Sequence, residues 1–397
     1  MSLLPPPLPI PPRHNGKLAI NELKARAQHG QADIDAFITG RVIPIVEGPK
    51  CTFLYRGNVD AVAVRHRIVN QPNHVPMKKL EQVEGPPLWY VTIELPAHSR
   101  VEYQIEVRVG AAVEVFNDPL NPHVAHSPVG SSSVLQAAGY QTPEWVLPQS
   151  DARPGELIDF KFASKALRRV TTNRLYLPAR FRRSSRYPLL IVHDGSDYIT
   201  YAAMKAVLDN LIHDLDMAET IVLFTNSNDR LKEYPNYASH ARHIVRELLP
   251  AVEAKLPVIP RADARCLMGA SFGGVASLST AFRNPETFGS LFLQSGSFVF
   301  TDIGSDHGGG PAFDPVVKFM NRYREKPRKV ADRMFITCGI YEPLIVANRS
   351  MVPVFESTGA QVRYVESRDG HSWENWRDRL RGGLSWIFPG PKKLVYE

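Results

Sequence analysis

The stretch Gly269-Ala270-Ser271-Phe272-Gly273-Gly274 constrains this chain more than any other. It joins a short apolar run at 265–268 to a segment of helical composition at 275–281. Small residues at such a strand-to-helix turn let the helix cross close to the strand. The sharp turn then holds its serine in a strained conformation, with the hydroxyl above the sheet. The start of the helix adds backbone N–H groups and a positive dipole end beside that hydroxyl. The pattern predicts a nucleophile elbow at Ser271; the alternative is a Gly-rich turn that only packs a helix on a strand.

The surroundings have the matching rhythm. After about residue 150, apolar strand-like runs at 174–178, 187–194, 220–224, 265–268, 290–295, 333–338 and 361–366 alternate with helical stretches such as 201–214 and 240–256. That alternation predicts an α/β domain with a mainly parallel central sheet. The first part of the chain differs. A proline-rich lead-in at 1–15 precedes one predicted helix at 20–38, with Leu23, Ala27, Ile34 and Phe37 at apolar positions. Short alternating runs at 52–55, 61–64, 89–95 and 102–107 then predict a β-sandwich of roughly a hundred residues. The turn-forming segments at 118–122 and 128–133 read as its exit linker.

Composition narrows the function classes. The net charge is +7, but its 47 basic residues are dispersed, and no recognition motif accompanies the arginine cluster at 168–186. Nucleic acid is therefore not the expected partner, whereas a small anionic ligand would be favoured. Three cysteines with no paired or metal-ligand spacing predict a reducing compartment, no disulfide framework and no metal site. No basic segment followed by an apolar stretch opens the sequence, and no run is long enough to span a membrane. A cytoplasmic protein is expected.

A serine nucleophile needs a base, and the base needs an orienting group. In α/β-hydrolases these follow in the order serine, acid, histidine, each on a loop after a strand. His371, in Asp369-Gly370-His371-Ser372-Trp373, follows the last predicted strand and opens the last helix. Glu342 leaves the preceding strand and is favoured as the orienting acid; Asp369, two residues from His371, is its competitor. The oxyanion is expected to meet the N–H of Phe272 and an N–H from the His193–Tyr198 loop, with Gly195 and Ser196 as candidates. The chemistry needs no cofactor.

Taken together, His193-Asp194-Gly195, Arg230-Leu231-Lys232-Glu233-Tyr234, the elbow, Gly339-Ile340-Tyr341-Glu342-Pro343 with Asn348-Arg349, and Asp369-Gly370-His371 resemble the esterase D or "putative esterase" family. The two-part layout is similar to that of the enterochelin (enterobactin) esterases. The resemblance implies an immunoglobulin-like domain at 41–150, after the lead-in and helix at 1–40, and an α/β-hydrolase catalytic domain at 151–397. It implies hydrolysis of a triscatecholate siderophore, with release of iron in the cytoplasm. It also places the Arg230–Tyr234 segment near the active site, making Arg230, Tyr234 and Trp373 candidate substrate contacts; a structural ion pair with Glu233 or Glu342 is the other role for Arg230 and Arg349. Ser372-Trp373-Glu374-Asn375-Trp376 departs from the siderophore esterases toward generic family members, including feruloyl and acyl-sugar hydrolases. A non-catalytic binding protein on a hydrolase scaffold is the alternative from another class. For the N-terminal domain, covering the active-site mouth is favoured over binding carbohydrate through Trp89 and Tyr90.

Overall fold

The computed structural model describes residues 17–25, 30–80, 85–301 and 309–391. The proline-rich lead-in and Ala27 lie outside them. The predicted helix at 20–38 is two helices, Ala19–Lys24 and Gln31–Ile38. Gly30 has an extended backbone and its N–H donates to Asp33 Oδ2 at 3.2 Å, which starts the second helix afresh. The apolar spacing was nonetheless informative. Ile20, Leu23, Ile34 and Phe37 all enter one core with Leu54 and Leu88.

Two antiparallel sheets follow. One has the order Ile45–Glu47, Lys50–Arg56, Leu88–Glu94, Lys78–Leu80. The other runs His74–Pro76, Ala61–His66, Arg100–Val109, Gly130–Gln136, Val124–Ser127, with Ala112–Phe116 also paired to Arg100–Val109. Inward residues of both, among them Phe53, Val64, Trp89, Tyr103, Ile105 and Leu135, share a core. Arg100–Val109 illustrates the period of two: Val101, Tyr103, Ile105 and Val107 are buried in turn. Trp89 lies in that core, its Nε1–H donating to the Gly57 carbonyl at 3.1 Å, so it offers no platform for a sugar. The expected exit linker is corrected. Gly130–Ser133 pairs with Val124–Ser127 and Ser133–Gln136 with Arg100–Tyr103, because a Ser-rich run satisfies a backbone ladder as well as any other.

Among the described residues the large sheet has eight strands, in the order Glu156–Ser164, Arg169–Leu177, Ile221–Phe224, Leu189–Val192, Arg265–Ala270, Ser290–Gln294, Arg333–Gly339, Gln361–Ser367. The first three are joined antiparallel and the remainder are parallel. Strand Glu156–Ser164 has no counterpart in the sequence-based expectation; only Phe160 and Ser164 of its residues are buried, too weak a pattern for an edge strand to announce itself. The central strands Leu189–Val192 and Ile221–Phe224 are buried throughout, as expected of parallel strands covered on both faces. Among the described residues no helix is long and apolar enough to cross a membrane.

Candidate active site

Three parallel strands deliver the central groups from their C-terminal ends. Strand Arg265–Ala270 ends at Ser271, whose φ of 56° and ψ of −120° are sparsely populated for a residue with a Cβ. The neighbouring glycines explain how the chain tolerates this. A Cβ on Gly269 would lie 2.4 Å from the Gly273 backbone, so strand and helix Phe272–Arg283 cross too closely for any side chain. Phe272 is the first residue of that helix, and its N–H has no partner within the helix.

Glu342 follows strand Arg333–Gly339, and His371 follows strand Gln361–Ser367. Glu342 Oε2 lies 2.5 Å from His371 Nδ1. Its other oxygen accepts from Ser295 Oγ at 2.6 Å and from the Gly339 N–H at 2.7 Å. Burial opposes ionisation of Glu342, but the His371 charge and these hydrogen bonds outweigh it and hold the carboxyl below its ordinary value. Trp376 donates to Ser295 Oγ at 2.9 Å and sets its ring edge-on to the imidazole at 5.0 Å. Ser271 Oγ lies 3.2 Å from Ser297 Oγ. Ser271, Ser297, Glu342 and His371 line one cavity of about 660 Å³, together with His66, the last residue of strand Ala61–His66, and Arg67 after it. A second cavity of about 650 Å³ shares Ser271 and His371 and adds Arg65, His126 and Arg230.

Asp369 does not face the histidine as an orienting acid. Its carboxylate is held by Arg100 Nε and Nη2, at 2.8 and 3.0 Å. Gly195 and Ser196 are also reassigned, because their N–H groups are already donated, to the Thr225 carbonyl at 2.8 Å and to Asn226 Oδ1 at 2.9 Å. Both residues belong to helix Gly195–Tyr201, not to a loop, and a Cβ on Gly195 would lie 2.4 Å from that of Phe224. The glycine serves packing.

Arg230 reaches the second cavity, but its Nε binds both oxygens of Asp194 at 2.9 and 3.0 Å and its Nη2 donates to the Ala270 carbonyl at 3.3 Å. Its ion-pair partner is thus Asp194, neither Glu233 nor Glu342, and it ties the elbow to the strand beside it. Arg349 pairs with Glu366 at 2.5 Å. Tyr234 is fully buried, its hydroxyl accepting from the Asp194 N–H at 3.1 Å, and so meets no ligand. Trp373 borders the second cavity but is 7% exposed, edge-on to Tyr198 and Trp376 and tilted against Tyr201. Sequence reasoning missed Ser295, Ser297, His66, Arg67 and Arg100. Nothing in their local spacing marks them, since each meets the site through a fold contact.

Residues 164–387 match the family described as "Putative esterase". The chain belongs to this family. It is 25% identical over 334 residues to the iron(III) enterobactin esterase of Escherichia coli K12, covering 77% of this chain and 81% of that protein. The solved ferric enterobactin esterase of Salmonella typhimurium, 20% identical, superposes with a TM-score of 0.70 over 85% of this chain and 93% of its own. A solved ferulic acid esterase, 19% identical, matches 59% of this chain and 98% of its own with a TM-score of 0.51. These likenesses give the large sheet and its helices an α/β-hydrolase-like fold, and family membership makes the chain a carboxylic ester hydrolase.

Proposed function

We propose that this chain hydrolyses carboxylic esters by way of an acyl-enzyme on Ser271, and that its substrate is a catecholate trilactone siderophore. The observation that carries the reading is the strained Ser271 opening into the same cavity as the Glu342–His371 pair. His371 takes the hydroxyl proton as Ser271 Oγ attacks the ester carbonyl; Glu342 stabilises the resulting imidazolium through Nδ1. The tetrahedral oxyanion faces the Phe272 N–H and the helix start behind it. Collapse expels the alcohol with the proton from His371. Water, activated by the same imidazole, then releases the acid.

The substrate assignment draws on the enterobactin esterases to which the chain is similar along most of its length. It also draws on one cation at the cavity edge. Arg67 is exposed at the edge of both cavities and has no ion-pair partner among the described residues, so it is available to an anionic ligand. Residues 41–150 act here as an immunoglobulin-like domain covering the catalytic domain at 151–397. We place the reaction in the cytoplasm, in keeping with three buried, unpaired cysteines. The ferulic acid esterase likeness favours a second reading, a feruloyl or other aryl esterase.

A fluorophosphonate probe should label Ser271 in the wild-type chain, while Ser271→Ala stays unlabelled, remains folded and loses at least roughly 1000-fold in kcat. Ferric and apo enterobactin, assayed beside feruloyl and acetyl-sugar esters, should be cleaved with the higher kcat/KM. Cleavage of the simple esters alone would discard the siderophore, and an unlabelled, inactive wild type would favour a binding protein.

A further inference from the structure

The loops carrying Glu342 and His371 are both fastened to one short run of the N-terminal sheets. Arg100, at the start of strand Arg100–Val109, is 2% exposed. Its Nε and Nη2 grip the two oxygens of Asp369 at 2.8 and 3.0 Å, and Nη2 also meets Ser372 Oγ. Its Nη1 lies 3.6 Å from Glu374 Oε2. Its own N–H donates to the Arg368 carbonyl at 2.9 Å, and the Arg368 guanidinium returns a bond to the Ala97 carbonyl at 2.8 Å. Positions on both sides of His371 are therefore held by a single side chain. Next to it, Ser99 Oγ pairs with Tyr341 Oη at 2.6 Å, and the Val69 N–H donates to the Tyr341 carbonyl at 2.8 Å, one residue before Glu342.

A guanidinium buried this deeply is sustained only by charged partners and hydrogen bonds, and its fixed fork transmits orientation as well as charge. Asp369 passes the constraint on by accepting from the Gly370 N–H at 2.7 Å, immediately before the histidine. The bonds the loop makes to its own domain, such as Asn375 Nδ2 to the Gly370 carbonyl at 2.8 Å, order the turn but not its place relative to the N-terminal sheets. We infer that Arg100 is a positioning residue: through Asp369 and Ser372 it sets the His371 imidazole between Glu342 and Ser271, which makes the N-terminal sheets a working part of the ester-cleaving centre. The inference rests on His371 acting as the base.

Steady-state hydrolysis of a small neutral aryl ester, the rate of fluorophosphonate labelling of Ser271 and the melting temperature would be measured for the full chain and four variants. Arg100→Met should lose on the order of 100-fold in kcat, as expected for a displaced catalytic group, with KM within about twofold and labelling slowed in parallel. Arg100→Lys, which keeps the charge but not the fork, should fall between it and the wild type. Arg100→Met combined with Asp369→Asn neutralises the most deeply buried of the carboxylates Arg100 faces, Glu374 and Glu102 being more exposed, and should regain part of the melting temperature without regaining kcat. Tyr140→Phe removes another contact between the two regions, the 2.9 Å bond to Asp378, and should lower the melting temperature while leaving kcat unchanged. Wild-type kcat in Arg100→Met, or return of kcat with stability in the double variant, would overturn the inference and leave Arg100 a structural staple. A wild-type chain unlabelled at Ser271 would instead remove the hydrolase reading and this inference with it, before any variant was compared.

Discussion

Two carboxylates, Glu342 and Asp369, were candidates to orient His371, and single contacts separate them. Glu342 meets the imidazole, while Asp369 meets a guanidinium from position 100. In the proposed mechanism Glu342→Gln removes the charge that stabilises the imidazolium, so kcat should fall by about 100- to 10,000-fold with the fold retained. It should also change the acid limb of stability. The folded Glu342 carboxyl titrates below the reference value of 4.5. Between those two values the unfolded chain binds more protons, so stability rises with pH there; the contribution is complete above 4.5 and is lost as pH falls through the folded value. Urea midpoints measured from pH 4.5 downward should show a shallower decline in Glu342→Gln than in the wild type. An identical decline would mean that another carboxyl governs this range.

The elements show where local pattern carries information. Gly269 and Gly370 both lie beside proposed catalytic residues, yet they differ physically. A Cβ at Gly269 meets backbone at 2.4 Å, whereas one at Gly370 meets nothing within 4 Å. Gly269→Ala should therefore destabilise by about 3 kcal/mol, the upper end for overpacking against atoms that cannot move aside. Gly370→Ala should stay within about 0.5 kcal/mol of wild type. Equal unfolding free energies for the two variants would contradict this account of the elbow. A glycine before His371 is thus no conformational requirement. Element type was legible wherever periodicity was strong, as in Arg100–Val109 and the buried parallel strands. It failed at Gly130–Gln136, where turn-forming composition concealed a paired strand, and at 195–201, where a helix begins directly at the strand end.

Across the whole molecule, the N-terminal sheets and the large sheet share more than a boundary. Tyr341 and Ile340, from the loop carrying Glu342, pack into the core of the two N-terminal sheets. Calorimetry should accordingly show one unfolding transition, and Tyr341→Ala should cost about 3–5 kcal/mol, as for other large aromatic truncations. Hydrogen exchange should then accelerate in both Arg100–Val109 and Gln361–Ser367. Two separate transitions, or loss of protection in one strand alone, would show that the regions unfold independently.

The tight strand-to-helix turn at Ser271 and the sheet's mainly parallel character were legible from sequence alone. The turn is a steric requirement between near neighbours, and strands buried on both faces are apolar throughout, so both leave their mark in residue types. Which carboxylate serves His371, why Arg230 faces Asp194 rather than open solvent, why Tyr234 is buried and why Gly195 must be small were decided by tertiary structure. These outcomes depend on groups such as Arg100 and Asp369, 269 positions apart. No periodicity links such positions; only the packing of one part of the chain on the other makes them neighbours, and burial then makes their pairing obligatory.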